Sequence, residues 1–540
     1  MNQPKNRSEK YSSLFTQIDN GTVKIPQFQR EFVWSKSQTA KLIDSIIKGF
    51  PMGTFILWKT KERLRHVRNV GNMALPDAQD GEAVHYVLDG QQRMTSLYAV
   101  QAGSVITRDK QVIDYRDISI DLDLDPNADT EVVFDEPKEG KTTISVHKLL
   151  TATFADLVKD YPDHVQPISD YKQRLEGYDF STVVIEDYAI DVACEVFTRI
   201  NTGGRELTLF EIMVAKTYDQ ERNFDLSEKY GALISNDNGK DLTNAGFDGI
   251  PPVTVLQCVA CFLTSEIKRQ NILKLDRESF IDQWDQTIDS LFSAIDYLRS
   301  HCGVAVSRIL PYNSLLIPLT WFFHEIGNRD VTAWENQHLK QFVYFSSLTQ
   351  RYGSAVESKV AQDIKRMDAI ATGSPPKYEP HELPRLSAEE LRNENFSVGN
   401  ARSKIIICLL SEKNPKSFAS NGEVILNNSW LKASNSKNYH HFFPRAFVRK
   451  QGVVEEWRSN SLMNIVLVGD YLNKRTIGAK APSVYVQNFA EQNPNLNDTL
   501  ESHFIGNQGE FGIDENDYEK FLVARSERIA QSIEEILFKS

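Results

Sequence analysis

The sequence has few cysteines and lacks any long apolar run. It contains 5 cysteines in 540 residues, an odd and sparse set that argues against a disulfide framework and suits a reducing compartment. No apolar run reaches the ~18 residues that a membrane-spanning helix needs, and the N-terminal segment MNQPKNRSEK has no signal-peptide core. We therefore expect a cytoplasmic protein without a membrane partner.

Two common site patterns are also missing. Cys258 and Cys261 form a CxxC without a second such pair, which predicts core thiols rather than a zinc site. The GKT at residues 140–142 does not complete the phosphate loop GxxxxGK[ST], because Asp135 stands where the first glycine belongs. If a nucleotide binds, it must bind by another route.

What is present is a globular composition with an uneven charge distribution. The chain is 41% hydrophobic and 10% aromatic, which excludes a disordered chain, and its net charge is −12. Residues 401–480 nevertheless carry 13 Lys and Arg against 5 Asp and Glu, a local net charge of +8, so the other 460 residues carry −20. This asymmetry indicates one anion-facing segment on an acidic body, although a chance excess on a solvated face is the alternative.

The N-terminal third predicts alternating strands and helices. Ser35 and Gln38 form a predicted capping box, and GTFILW and VHYVL read as strands. ISIDLDLD (118–125) alternates as a half-exposed strand, although its three aspartates also suit a divalent cation. Thr208 and Glu211 predict a second capping box, and residues 250–400 read as long helices. The apolar face predicted for the first capped helix is Ile43, Ile46, Ile47 and Phe50.

The segment LDGQQRMTSL places Gly90 between a strand and a helix. A glycine there lets backbone N–H groups at a helix start face an anion, and Arg93 adds a guanidinium one turn later. Asp89 is a candidate ligand for a metal or a water, while Gln91 and Gln92 offer amides to a ligand. A DG turn before a helix is also a common simple turn, so both interpretations stay open from this segment alone.

Two other polar segments strengthen the ligand interpretation. PQFQREFVW and RINTGGREL lie before and after the DGQQR segment, and a folded phosphate pocket would bring such segments together. The additional candidate nucleotide-binding residues are Gln29, Arg30, Asn201, Gly203, Gly204 and Arg205.

The basic segment contains the adjacent histidines His440 and His441 in NYHHFFPRAFV. Asn464 and Asn473 follow at a separation compatible with a hairpin and a helix. On its own, the HH pair is more often a surface pair or a histidine in an aromatic cluster.

Three N-terminal motifs together resemble a known family. IPQFQREFVW, VLDGQQRMTSL and FTRINTGGRELTLFE are similar to the N-terminal domain of GmrSD-type, modification-dependent restriction proteins, distant relatives of the ParB/sulfiredoxin-like fold. The resemblance spans residues 10–220 and implies an NTP-binding and hydrolysing domain. Its signature would be Asp89, Gly90, Gln92 and Arg93.

The C-terminal motifs HHxFP, NIVLV and LNKR are similar to the HNH-type (ββα-metal) nuclease domain of single-chain GmrSD proteins and SspE-type nickases. This resemblance covers residues 400–490 and implies His441 as general base, with His440 and Asn473 as ligands of Mg²⁺ or Mn²⁺. Asn464 would fix the motif loop as a further residue of the catalytic set. The implied DNA-binding residues are Lys474, Arg475 and Lys480.

The expected fold is therefore α+β with three domains. They are a ParB/sulfiredoxin-like nucleotide-binding domain (1–230), a helical linker domain (231–399) and an HNH-like nuclease domain (400–540). The expected function is an anti-phage restriction factor, in which an NTP-responsive sensor is coupled to a metal-dependent nickase or endonuclease. Its expected partners are NTP and phage DNA, modified DNA included.

Two alternatives remain open from the sequence. One is a nucleotide-switched DNA-binding regulatory protein with an inactive nuclease domain, and the other is a toxin-like RNase that uses the same histidines. The nucleotide base, the DNA modification, single- or double-strand cleavage, and assembly as a homo-oligomer or with a defence-system partner also stay open.

Overall fold

The protein is α+β, as the sequence predicts. The computed structural model describes residues 3–25, 34–61, 69–70, 73–74, 82–108, 111–186, 188, 190–200, 208–219, 221–235, 241–379, 382, 386–426, 439–452, 456–468 and 477–538. Within these ranges, no helix is both long and apolar enough to span a membrane. The chain divides into two compact units, residues 1–226 and 227–540.

The first unit is built on a mixed sheet. Its strands are β1 (Lys5–Lys10), β2 (Val23–Lys24), β3 (Phe55–Thr60), β4 (Asn69–Val70), β5 (Met73–Ala74), β6 (Val84–Asp89), β7 (Val105–Arg108), β8 (Gln111–Asp114), β9 (Ser119–Asp121), β10 (Val133–Phe134), β11 (Thr143–Ser145) and β12 (Asp179–Glu186). Five of them form the main sheet in the order β1-β12-β3-β6-β2. β3 runs parallel to β12 and antiparallel to β6.

Eight helices belong to the first unit as described. They are α1 (Tyr11–Asp19), α2 (Lys36–Ile47), α3 (Gln91–Gln101), α4 (Val146–Thr151), α5 (Phe154–Asp160), α6 (Val165–Glu176), α7 (Ile190–Ile200) and α8 (Leu209–Thr217). One face of the sheet contributes Phe55, Leu57 and Val87 to a core that also takes in Ile43 of α2 and Leu97 of α3. Burial of this apolar face fixes α3, and therefore its N-terminus, against the strand ends.

The local sequence signals place the helix starts correctly. Ser35 with Gln38 and Thr208 with Glu211 form the predicted capping boxes of α2 and α8. The prediction for Phe50 is wrong: α2 ends at Ile47, and Phe50 is 57% exposed. Gly49 adopts a positive φ of 71°, which turns the chain before Phe50 can continue the helical face.

The strand predicted over residues 118–125 is also shorter than its alternation suggests. Only Ser119–Asp121 is strand, and the side chain of Asp121 accepts a hydrogen bond from the backbone N–H of Asp123 at 3.0 Å. Asp121 is buried, whereas Asp123 is exposed and lies 3.0 Å from His164. The three aspartates therefore do not share one strand face.

The second unit is mainly helical as described. Its helices are α9 (Leu226–Ile234), α10 (Pro252–Thr264), α11 (Arg269–Lys274), α12 (Arg277–His301), α13 (Leu316–Glu325), α14 (Ala333–Leu348), α15 (Val356–Ala371), α16 (Ala388–Asn393), α17 (Ala401–Glu412), α18 (Arg445–Gln451), α19 (Pro482–Ala490), α20 (Leu496–Glu501) and α21 (Tyr518–Phe538). The strands β13 (Tyr439–His441) and β14 (Ile465–Leu467) pair with each other.

The helix predicted from residue 252 onwards is shorter than its sequence pattern suggests. α10 ends at Thr264, because Ser265 takes a left-handed conformation with φ 55°. Cys258 and Cys261 are buried on this helix, and burial raises the pKa of the Cys258 thiol to about 12. A thiol that stays protonated at neutral pH suits the predicted role in the core.

The helical region and the basic C-terminal region share the second unit. Tyr344 of α14 donates a hydrogen bond to Glu412 of α17 at 2.9 Å, and Arg402 of α17 donates to the carbonyl of Leu348 at 2.7 Å. The division at residues 399 and 400 stays a prediction, and these contacts show that α17 packs on α14 within one compact unit.

We expect Gly90→Ala to destabilise the protein more than Gly140→Ala. Both glycines have positive φ (93° and 74°), so alanine costs about 1–2 kcal/mol at either position. At Gly90 an added Cβ would also lie 2.3 Å from Cδ1 of Phe55, whereas nothing lies within 4 Å at Gly140. This overlap adds about 1–3 kcal/mol. Urea unfolding of both full-length variants measures the difference, and equal losses would contradict the packing described at Gly90.

We also expect the fully buried His503 to make the protein acid-sensitive. The pKa of His503 is lowered to about 4, mainly by burial. The hydrogen bond with the carbonyl of Lys416 opposes this lowering, and the positive charge of Arg525 adds to it. The pKa of His503 in the folded protein lies below the ordinary value near 6.5. The free energy of unfolding therefore has its full value above pH 6.5 and decreases as the pH falls towards 4.

His503→Gln keeps a donor for Lys416 but does not titrate. The wild-type protein loses unfolding free energy between pH 7 and pH 4.5, and the substitution should make this loss smaller by about 2–3 kcal/mol. His301→Gln, at an exposed histidine of the same unit, is the control. Urea unfolding at the two pH values measures both variants, and an acid loss of wild-type size in His503→Gln would contradict the assignment.

Candidate functional site

The two histidines of the basic segment lie on a short antiparallel strand pair. His440 pairs with Val466, and His441 pairs with Ile465. Neighbouring residues of a strand face opposite sides: His440 is 4% exposed, while His441 is half-buried. The strand therefore presents His441 and keeps His440 inside.

Asn464 fixes the turn that follows His441. Its side-chain Oδ1 accepts a hydrogen bond from the N–H of Phe443 at 2.8 Å, and its Nδ2 donates to the carbonyl of Phe443 at 2.9 Å. The backbone carbonyl of Asn464 also accepts from the N–H of Phe442 at 2.8 Å. Since Asn464 is fully buried, these bonds satisfy an amide that would be costly to bury unpaired. The structure thus joins Asn464 to the histidine segment.

Asn460 sets the tautomer of His441. Its Nδ2 donates to the carbonyl of Phe396 at 3.0 Å, which turns Oδ1 towards Nε2 of His441 at 2.9 Å. An amide oxygen can only accept, so Nε2 carries the proton and Nδ1 keeps its lone pair. His441 is therefore held as a neutral imidazole with Nδ1 as the basic atom.

The charge state of His441 agrees with this arrangement. Burial lowers the pKa of His441 to about 4, the hydrogen bond with Asn460 opposes this, and the positive charge of Arg445 adds to the lowering. At neutral pH the imidazole is unprotonated, which is the form that can accept a proton from water.

Helices α19 and α21 contact the residues next to this turn. The hydroxyl of Tyr485 donates to the carbonyl of Phe442, and the ring of Phe521 stacks on that of Phe442 with centroids 4.9 Å apart. Arg525 is fully buried, and its guanidinium donates to the carbonyl of Met463, the residue before Asn464. The C-terminal helices therefore hold both Phe442, which follows the histidines, and Met463, which precedes Asn464.

The structure describes only some of the other residues predicted for this site. Asn473, Lys474 and Arg475 lie outside the described residues, and Lys480 is exposed just before α19. Within the described part of the chain, no group of three or more His, Cys, Asp or Glu side chains is placed to hold a metal ion. The ligand pair of His440 and Asn473 stays a prediction.

The DGQQR segment forms the expected strand-to-helix turn. Asp89 ends β6, Gly90 caps α3 with φ 93°, and α3 starts at Gln91. Gln91 and Gln92 are buried, and Gln92 Nε2 donates to Gln91 Oε1 at 3.3 Å. Both glutamines make further interactions, and the contact of their amides with a ligand stays a prediction.

Arg93 holds the loop that precedes β3. Its guanidinium donates to the carbonyls of Met52 and Thr54 and to the carboxylate of Asp89 at 3.3 Å, and it lies 5.2 Å from the ring centroid of Phe55. Sequence reasoning assigned Arg93 to a ligand, whereas the structure uses it to join three segments around Gly90. Its contact with a phosphate stays a prediction.

The remaining nucleotide-site candidates lie outside the described residues. They are Gln29, Arg30, Asn201, Gly203, Gly204 and Arg205.

Sequence reasoning missed Asn460, Arg445 and Arg525. Asn460 lies 19 residues from His441 along the chain, and Arg525 lies 62 residues from Met463. No local spacing signals such contacts. Arg445 had a signal, because it follows the HHFFP segment directly.

Comparison with known proteins agrees with the N-terminal resemblance. Residues 11–218 match the model of the GmrSD restriction endonuclease N-terminal domain. An uncharacterized protein of Methanocaldococcus jannaschii, MJ0686, is 24% identical over 96% of this chain and 97% of its own length. The domain indicates a restriction-type nuclease function with DNA as substrate. Over residues 11–218 the chain is therefore similar to GmrSD-type restriction proteins.

Proposed function

We propose that the protein is an anti-phage restriction factor in which an NTP-binding N-terminal domain controls a metal-dependent HNH-type DNA nuclease in the C-terminal region. The observation that carries the nuclease assignment is the arrangement of His441, Asn460 and Asn464 around one turn. Each of the three side chains has a separate task in phosphodiester hydrolysis.

His441 is the general base. Its Nδ1 accepts a proton from the attacking water, whose oxygen forms a bond to phosphorus as the bond from phosphorus to the leaving sugar oxygen breaks. Asn460 stabilises the imidazolium that results, because its Oδ1 keeps accepting from Nε2–H. At physiological pH the imidazole is neutral, which is the form that accepts a proton.

Asn464 keeps the base in place. Its two side-chain bonds to Phe443 close the turn behind His441, so the imidazole does not have to be ordered when DNA binds. Preorganisation of this kind reduces the entropy lost on the way to the transition state.

His440 and Asn473 are the proposed ligands of Mg²⁺ or Mn²⁺. His440 is a buried imidazole on the strand face opposite to His441, so its role as a ligand rests on the family resemblance. An imidazole and an amide oxygen suit Mn²⁺ well and Mg²⁺ less well. The bound metal would stabilise the negative charge that develops on the phosphate and the leaving oxygen.

The DGQQR turn is the proposed nucleotide site. The N-terminus of α3 favours an anion near Gly90, and Asp89 lies beside it with its side chain 36% exposed. Arg93 shapes this site by holding Met52 and Thr54, and its guanidinium brings positive charge next to the turn. Asp89 would orient a metal ion or a water at the phosphates.

His441→Ala should lower cleavage of supercoiled plasmid by about 10²- to 10⁴-fold. The substitution removes the proton acceptor but leaves His440 and Asn464 in place, so DNA and Mn²⁺ should still bind. Nicking is measured on the full-length protein with Mg²⁺ or Mn²⁺, with and without NTP, on modified and unmodified DNA.

His301→Ala changes an exposed histidine of the same unit and should cleave like the wild type. Cleavage by His441→Ala at the wild-type rate would place the nuclease elsewhere. A wild-type protein that binds DNA without cutting it under every condition would favour the regulatory protein instead.

Asp89→Asn should abolish NTP turnover without unfolding the protein. The amide keeps the size of the carboxylate and an acceptor for Arg93, but it loses the charge that a metal or a polarised water needs. Phosphate release and a thermal melt are measured together. Asp163→Asn, at an exposed aspartate of the same unit, is the control, and normal turnover by Asp89→Asn would remove Asp89 from the site.

A further inference from the structure

Helix α18 presents a basic face next to the proposed base. Its sequence RAFVRKQ has three basic residues and no acidic one. Arg445, Arg449 and Lys450 are exposed, while Val448 packs inward. On a helix, positions four residues apart are neighbours on one side, so Arg445 and Arg449 share one side of α18. Lys450 follows Arg449 at the C-terminal end of the same exposed surface.

Arg445 stands close to the reaction centre. Its Nε lies 3.4 Å from Oγ of Ser459, the residue before the Asn460 that holds His441. This contact places the guanidinium next to the segment that positions the base.

No carboxylate within the described residues forms an ion pair with Arg445 or Lys450. Exposed cations next to a reaction centre suit an anionic substrate. The surroundings match, since residues 401–480 carry a net charge of +8 in an acidic chain. Phosphates of DNA are the anions that this charge pattern fits best.

An exposed aromatic side chain lies beside this face. Trp457 is 42% exposed and belongs to the 3₁₀ turn Glu456–Asn460, which packs against α18. Its ring can pack on a sugar or stack on an unpaired base, while the neighbouring cations bind the backbone.

We propose that the exposed face of α18 is the DNA-backbone surface of the nuclease, with Arg445 binding the phosphate under attack and Lys450 and Arg449 binding phosphates farther along the same strand. The planar guanidinium of Arg445 provides two parallel donors for the phosphate oxygens whose charge grows in the transition state. This inference rests on the proposed nuclease function and adds a substrate-binding surface to it.

Substitutions at the two ends of α18 should have different effects in the full-length protein. Arg445→Ala should lower kcat at saturating DNA by about 10²-fold, because its contact strengthens in the transition state. Lys450→Ala should leave kcat near the wild-type value. It should weaken DNA binding and reduce the slope of log Kd against log salt by about 0.9, the loss of one phosphate contact.

Binding is measured by fluorescence anisotropy on duplex DNA in EDTA over a range of salt, and cleavage is measured on plasmid with Mn²⁺. Arg445→Lys keeps the charge without the bidentate fork and should recover only part of the rate. Lys365→Ala removes an exposed lysine from α15 of the same unit and should change neither the slope nor the rate.

The outcomes separate the two claims. If Arg445→Ala and Lys450→Ala bind and cut like the wild type while His441→Ala does not cut, the surface on α18 is wrong and the nuclease stands. If the wild type never cuts but Lys450→Ala still loses salt slope, α18 binds DNA and the nuclease is wrong. An equal loss of salt slope in Lys365→Ala would overturn the surface, because it would show a general charge effect.

Discussion

The candidate nuclease site depends on the buried amide of Asn464, which exchanges two hydrogen bonds with the backbone of Phe443, 21 residues away. A single residue thereby closes the segment that contains α18 and brings the two strands into register. Both polar atoms of the amide are satisfied inside the protein, so breaking either bond would leave a buried group unpaired. The position of His441 follows from this closure, and the proposed chemistry follows from His441.

Around that closure, the C-terminal helices form a rigid base. Arg525 is fully buried and donates through Nη1 and Nε to the carbonyls of Met463 and His503, although its Nη2 is buried without a hydrogen-bond partner in the described structure. Aromatic stacking of Phe521 on Phe442 adds a second anchor. The DGQQR turn of the first unit follows the same principle, since Arg93 links Asp89 to the loop before β3. Each candidate site thus uses one arginine to hold backbone carbonyls in place.

The sequence predicts what local interactions decide. The capping boxes at Ser35 and Thr208 and the glycine turn at Gly90 depend on neighbours within a few residues, and the structure has all three. Asn464 was assigned to the motif loop through the family resemblance. Arg525 and Asn460 could not be found, because their partners are brought near only by the packing of distant helices. The strand prediction over residues 118–125 was too long, because the alternation of apolar and polar residues continues beyond Asp121, where the strand ends.

The central claim is that Asn460 acts on catalysis only through the imidazole of His441, by orienting it and by stabilising its protonated form. A double-mutant cycle tests it most directly, with plasmid cleavage rates for His441→Ala, Asn460→Ala and the double variant in the full-length protein with Mn²⁺. If Asn460 works through the imidazole, the double variant should be no slower than His441→Ala alone. Additive losses, or a wild-type protein that does not cleave, would contradict the account.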